Sequence, residues 1–503
     1  MVTRRFLAAL LLLAARPVFT QPPPARQVVV IVVDGLRPDY VTADLMPRLF
    51  RLGRRGIAFR AHHSVFPTVT RVNGASFVTG AYPEAHGLLG NLIYMPKVNA
   101  TKALDTAVRE DLLAVERSGD PLLTAPTLGE IVERAGKRMM VVSSGTSGSA
   151  YLLNHAAPDG VVIHPQFTTP ASMAAHVLEA LGPAPPHAVP NVAEHRRAVD
   201  AYIKIGLDEL HPDVTFMWLS DPDSTAHQKG IGGPAFRDAL AASDAQIGRV
   251  EDELRARGLL DRTDILVASD HGFSTHDSRL HLDALVKPFA RPLPDGSPDI
   301  VVAESAIYFR GAHDRARVGA VVAELQRQPP VGAIFTRDAL PGTLPLDLAR
   351  GRHPRAGDIL VSANWNADKN EFGYEGYTTQ TGAAGHGAAS PYDVHNALFA
   401  VGPDFRTETT SDAPTGNVDV APTVLRVLGL EVVPTMTGRV IVEAFRNGPA
   451  PSSLAIDRST VVAASADGSY RATAHLSSTD GRRYLDYTEV TRSLPQRRSG
   501  VPK

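Results

Sequence analysis

The stretch QVVVIVVDG, Gln27 to Gly35, is an unbroken run of Val and Ile that stops at an Asp-Gly pair. Six consecutive apolar β-branched residues leave no polar face, which suits a strand buried on both sides of a parallel sheet. GKRMMVVSSG (from Gly136), DVTFMWLSD (from Asp213), TDILVASDHG (from Thr263) and HNALFAVGP (from His395) repeat the pattern. Helical segments lie between these runs: PTLGEIVERAG, with Thr127 as N-cap and Gly136 as C-cap, and AFRDALAASDAQIGRVEDELRARG, periodic over its whole length. Strands alternating with helices imply an α/β fold with a mostly parallel central sheet flanked by helices.

Composition frames the rest. The 503 residues are 44% hydrophobic and 21% charged, so a large packed core is expected and extensive disorder is not. With 51 basic against 53 acidic residues the net charge is -2, which argues against a nucleic-acid-binding surface. The N-terminus places Arg4 and Arg5 before an apolar run from Phe6 to Ala15 and then small and Pro-rich residues. That is the layout of a signal peptide over residues 1–20, cleaved near Thr20 or Gln21, since the run is shorter than the roughly 20 residues of a membrane-spanning helix. An uncleaved anchor is the competing possibility. With no cysteine there are no disulfides, and the expected destination is a bacterial periplasm or the medium.

The catalytic core is expected over residues 26–274 and 386–447. Between them the pattern changes, and AIYFRG, DRARVGAVVAELQRQ and VGAIFTRDAL read as strand, helix and strand of a small α+β cap over 275–385. Residues 448–503 form a C-terminal β extension in this reading, with Asp-Gly pairs between alternating runs as hairpin signals.

Polar residues gather at the strand ends. Asp34 closes the first strand and Asp270-His271 close another, and in open parallel sheets ligands bind outside the carboxyl ends of the strands. Asp223 and His227 follow a third strand at a spacing that puts both on one side of a helical turn. His386 sits among glycines in GAAGHGAAS, where the backbone is free to approach closely. Three carboxylates and three imidazoles would serve two metal ions, an arrangement suited to zinc and to clamping the attacking and leaving oxygens of phosphoryl transfer.

VVVIVVDGLRPDY, FPTVTRVNGASFVTGAYPEAHGLLGN, DPDSTAHQKGIGGPAF, VASDHGF, then GHG, ALFAVGPDF and NVDVAPTVLRVLGL resemble, in order, the nucleotide pyrophosphatase/phosphodiesterase family of the alkaline phosphatase superfamily. The resemblance runs from about Val28 to Gly438. It implies two zinc ions, one held by Asp223, His227 and His386 and the other by Asp34, Asp270 and His271. Thr70, three residues before Asn73, is then the nucleophile and reaches the second zinc. Asn91 matches the residue that donates a hydrogen bond to a phosphoryl oxygen, beside the backbone N–H that follows the nucleophile. Thr68 is the local rival, with packing or capping as its ordinary role.

The chain departs from the family where the substrate base would stack. An aromatic residue is usual after the nucleophile, and here it is Arg71; the second stacking position is Trp218. Arg71 can stack, or it can pair with a second negative charge on the substrate. The reading is an exported metal-dependent phosphodiesterase or nucleotide pyrophosphatase, acting through a phosphothreonine on a small phosphoester, a nucleotide among the candidates. A phosphate monoesterase would need extra positive charge that VVSSGTSGSAYLLNH lacks. The same metal motifs would also serve a phosphonoacetate hydrolase, or a non-catalytic zinc-binding export protein. His62, His63, His276 and His281 are read as surface or supporting residues.

Overall fold

The computed structural model describes residues 26–311 and 314–493, so the expected signal peptide and its cleavage site lie outside the described residues. Strand Gln27–Val33 runs through the middle of a ten-stranded sheet, flanked in parallel by Thr263–Ala268 and Val214–Leu219. Val28, Val30 and Val32 enter one layer of the core, and Val29, Ile31 and Val33 the other. None is more than 1% exposed. Each such side chain contributes about 1.5–3 kcal/mol of burial, which is why this run carries no polar residue until its end. Met139–Ser143 and Val161–His164 extend the parallel order beyond Val214–Leu219.

One expected parallel strand runs the other way. His395–Val401 is antiparallel to both Thr263–Ala268 and Ile57–His63. It is entered through the short helix Pro391–Val394 at the end of the sheet where Thr263–Ala268 stops, so the chain runs back along that strand. Ile57–His63 itself, IAFRAHH, has a polar residue at Arg60 and two histidines, and so lacks the apolar run that marks the other strands.

Between the helical segments and the sheet the local chemistry works as expected. Thr127 accepts the Glu130 N–H and Glu130 accepts the Thr127 N–H, a capping box, and Gly136 follows the helix end at φ +71°.

Above the carboxyl ends of the strands lies a five-stranded sheet: Ile300–Ala303, Ala306–Phe309, Ile359–Ala363, Val331–Thr336 and Leu344–Pro345. Helix Arg315–Arg327 packs on it. Phe66, just before the hydroxyl-rich segment, inserts into this second core against Phe335, with ring centroids 5.2 Å apart. The C-terminal strands Asp457–Ala464, Tyr470–Thr479 and Arg482–Arg492 form an antiparallel sheet whose last turn puts Asp480 and Gly481 at φ +50° and +69°. Its Tyr470, Ala472, Ala474 and Leu476 pack into the same core as the five-stranded sheet. No described helix is long and apolar enough to cross a membrane.

Candidate active site

Three neighbouring strands of the sheet centre deliver their terminal polar residues to one crevice. Asp34 follows Gln27–Val33, Asp270 and His271 follow Thr263–Ala268, and Asp223 opens helix Asp223–Lys229 just beyond Val214–Leu219. Gly35 turns the chain at φ +74°, and a Cβ there would lie 2.9 Å from Phe273 Cδ2 and 3.1 Å from Asp223 Cβ. Gly385 serves the same end beside His386, where a Cβ would fall 2.5 Å from the His276 ring and 3.0 Å from His227. The crevice closes only because these positions carry no side chain.

All three expected imidazoles are oriented alike. Nδ1 of His271 donates to the Gly272 carbonyl at 2.9 Å, that of His227 to Ala384 at 3.0 Å and that of His386 to Thr68 at 2.8 Å. A carbonyl only accepts, so each Nδ1 carries the proton and each Nε2 is left facing the carboxylates, the usual outer support of a metal-ligating histidine. His271 Nε2 lies 3.1 Å from Asp270 Oδ2 and 3.5 Å from Asp34 Oδ1; His227 and His386 Nε2 lie 3.3 and 3.4 Å from Asp223 Oδ2. Those three carboxylate oxygens are buried and accept no hydrogen bond among the described residues. Burial, then the charges of Asp270 and Asp223, raises the Asp34 carboxyl well above its ordinary range. Burial acts the same way on Asp223, but His227 and His386 outweigh it and hold that carboxyl well below.

Buried, unpaired carboxylate oxygens facing imidazole lone pairs are the donor set a divalent cation would complete. Ligand atoms within 4.8 Å of one another form two such groups, Asp34 with Asp270 and His271, and Asp223 with His271 and His386. The first is the expected trio. In the second, His271 stands beside His386, their rings stacked with centroids 3.5 Å apart, while His227 faces Asp223 through Nε2 and meets the His386 ring edge-on at 5.2 Å.

Thr70 begins helix Thr70–Thr79, with Oγ1 3.2 Å from His271 Nε2. Asn73 accepts the Val65 N–H at 2.7 Å and donates to the carbonyls of Val65 and Val69, pinning the turn that presents Thr70. Thr68 is committed elsewhere. Its hydroxyl donates to the Ala388 carbonyl and accepts the Gly387 N–H, and so holds the His386 loop in place.

Two substrate contacts differ from expectation. Trp218 is 1% exposed and lies under the helix Thr70–Thr79, with its Nε1–H donated to Asp34 Oδ2 at 2.9 Å. It shares the inward face of its strand with Val214 and Phe216, so the ring supports the Asp34 carboxylate and does not form a stacking wall. Asn91 Oδ1 accepts the Arg71 backbone N–H at 3.1 Å, so that N–H is engaged here, and the part of Asn91 that can donate to a phosphoryl oxygen is its amide nitrogen. Replacing Trp218 by Phe removes that donor. Zinc affinity is expected to fall about 10- to 100-fold with little change in rate at saturating metal, as a zinc titration would show.

A cavity of about 850 Å³ opens over Thr70, Arg71, Asn91, Asp223, His227 and His386. Its far wall comes from Leu282, Ser305, Val361 and Ala363, and there stands a residue that the sequence did not single out. Glu304 occupies a two-residue turn between Ile300–Ala303 and Ala306–Phe309 at φ +55°, where Gly, Asn or Asp is favoured. Its Oε2 accepts the Asn91 N–H at 3.0 Å, tying the five-stranded sheet to the Asn91 loop. Burial lowers the Arg71 guanidinium from its ordinary value, and Glu304 is the foremost charge opposing that. The unusual turn residue was the one signal available.

Comparison with known proteins identifies the family. The family model described as type I phosphodiesterase / nucleotide pyrophosphatase matches residues 28–387. Human ectonucleotide pyrophosphatase/phosphodiesterase family member 1 is 26% identical over 285 residues, covering 53% of this chain and 27% of the relative. Human family member 7 is 25% identical over 246 residues, covering 49% and 47%. The chain thus spans less than half the length of either relative. The solved murine ectonucleotide pyrophosphatase / phosphodiesterase 5 superposes with a TM-score of 0.59 at 18% identity, covering 81% of this chain and 96% of its own. An inactive form of that murine protein is solved in complex with AMP. With a family match over residues 28–387, most of its length, the chain belongs to the type I phosphodiesterase / nucleotide pyrophosphatase family.

Proposed function

We propose that the protein is an exported, two-zinc hydrolase of phosphodiester or phosphoanhydride bonds in small substrates, nucleotides among them, that works through a covalent phosphothreonine at Thr70. The observation that carries this reading is the position of Thr70: a hydroxyl at a helix N-terminus, 3.2 Å from His271 Nε2, beside buried carboxylates with unpaired oxygens. Asp34, Asp270 and His271 would hold one ion, and Asp223, His386 and His227 the other. Zinc bound there would supply Lewis acidity, lowering the pKa of a hydroxyl or water toward about 7 so that no separate general base is required.

Thr70 Oγ attacks phosphorus in line, the ester oxygen on the far side departs with its electron pair, and water then hydrolyses the phosphothreonine to restore the hydroxyl. The first-turn N–H groups of helix Thr70–Thr79 and the Asn91 carboxamide stabilise charge on the transferring group. The cap, over roughly 275–385, closes the leaving-group side and contributes Glu304. Export to a periplasm or medium rests on the pattern of residues 1–20.

Arg71 favours a substrate that carries a second negative charge, and with Trp218 buried a base sandwich has no support. The test compares a nitrophenyl nucleotide diester, bis-nitrophenyl phosphate and nitrophenyl phosphate on zinc-loaded protein. kcat/KM for the better diester is expected to exceed that for the monoester by about 100-fold, or about 2.7 kcal/mol. Arg71→Ala should lower the rate on nitrophenyl phosphate, which carries a second negative charge, more than on bis-nitrophenyl phosphate, which carries one. A faster monoester would make the protein a phosphatase with Arg71 as its charge-binding residue.

A further inference from the structure

Outside the cavity, a second set of ligating side chains joins three distant parts of the chain. His63 ends strand Ile57–His63, His395 lies directly across from it at the start of His395–Val401, and Asp486 comes from the C-terminal strand Arg482–Arg492, 423 residues from His63. One ligand atom from each lies within 4.8 Å of the other two. His63 is 2% exposed, its ring packed between His395, with centroids 4.7 Å apart, and Tyr484, stacked at 5.4 Å.

The hydrogen bonds around this group are those of a ligand set. His63 Nδ1 donates to the Thr415 carbonyl at 2.8 Å, which leaves Nε2 facing Asp486 Oδ1 at 2.7 Å. That oxygen already accepts the Ser477 hydroxyl at 2.6 Å. Two electron-rich atoms so close need a cation on or between them. A proton would satisfy His63 and Asp486 but not His395, whose buried Nδ1 has no partner among the described residues. A metal ion would satisfy all three. The bonds from His63 to Thr415 and from Ser477 to Asp486 are the outer contacts that orient metal ligands. A surface cavity of about 490 Å³ opens onto His395 and Asp486 and offers a path of entry.

We propose that His63, His395 and Asp486 bind a further divalent ion, zinc by the chemistry of two imidazoles and one carboxylate, with water in the fourth position. It clamps the C-terminal sheet onto the strand that leads, seven residues on, to Thr70. No ligand is shared with the catalytic groups, so the site is structural, and its occupancy is independent of the reading of the active site.

The test is zinc content by mass spectrometry on the full chain, equilibrated with a small excess of zinc and desalted, for the unmodified protein, Asp486→Asn and His395→Gln. Each variant is expected to hold one ion fewer per chain than the unmodified protein, to melt at a lower temperature, and to keep its diester turnover. Equal zinc content in all three would overturn the proposal and leave a simple His63–Asp486 ion pair. In crystals of the unmodified protein an anomalous zinc peak is expected among the three side chains. A map that shows zinc at the catalytic groups and none here would overturn the proposal whether or not the variants fold.

Discussion

Replacing Thr70 by Ala is expected to lower kcat/KM on a nitrophenyl nucleotide diester by about 10⁴-fold or more, about 5.5 kcal/mol of transition-state stabilisation. The expectation rests on what the substitution leaves alone. Thr70 is the first residue of its helix and its hydroxyl does not cap it, since Val69 is the N-cap and Asn73 holds the preceding turn. The Asp and His groups that would bind metal are untouched, so zinc content should equal that of the unmodified protein. Thr68→Ala should instead loosen the His386 loop, because the Thr68 hydroxyl accepts the Gly387 N–H and donates to the Ala388 carbonyl, while the backbone carbonyl that His386 Nδ1 uses stays. Its signature is weaker zinc binding. A Thr70→Ala protein with near-normal turnover would rule Thr70 out as the nucleophile.

Zinc removal is the second large effect. Asp34, Asp223 and Asp270 each bury a carboxylate oxygen that accepts no hydrogen bond among the described residues, and their charges act on one another. Without a cation that arrangement is strongly unfavourable. Chelation is therefore expected to abolish turnover and to lower Tm, with both restored by zinc. Free zinc at about 1,000 times its Kd stabilises the folded state by about 4 kcal/mol per site, so Tm should climb with zinc concentration. A Tm and a turnover both indifferent to chelation would show that these side chains hold no metal the protein needs.

The parts of this site that were legible in the sequence are those that local chemistry dictates. A run of Val and Ile that ends in Asp can be placed at the end of a buried strand, and Asp223 with His227 can be placed on one helical face, because both follow from periods of two and 3.6 residues. The direction of His395–Val401 could not be read that way, since a strand pattern is the same in either direction and only the connection decides. Spacing located Trp218 but not its role: one residue's shift along the strand would have turned the ring to the other face, and it was the fold that set it on Asp34. Glu304 reaches Asn91 from 213 positions away, and no local pattern announces such a contact beyond an unusual turn residue. His63 looked like an ordinary supporting histidine because His395 and Asp486 are distant in sequence; in the fold it is nearly fully buried.

Two in-line displacements through Thr70 define the proposed reaction. The stereochemical course of hydrolysis of a chiral phosphorothioate diester in isotopically labelled water tests them most directly. Each in-line displacement inverts phosphorus, so two of them give retention of configuration, which is the expected result. Net inversion would mean that water attacks the substrate directly, and it would contradict a covalent phosphothreonine whatever the rate of the Thr70→Ala variant.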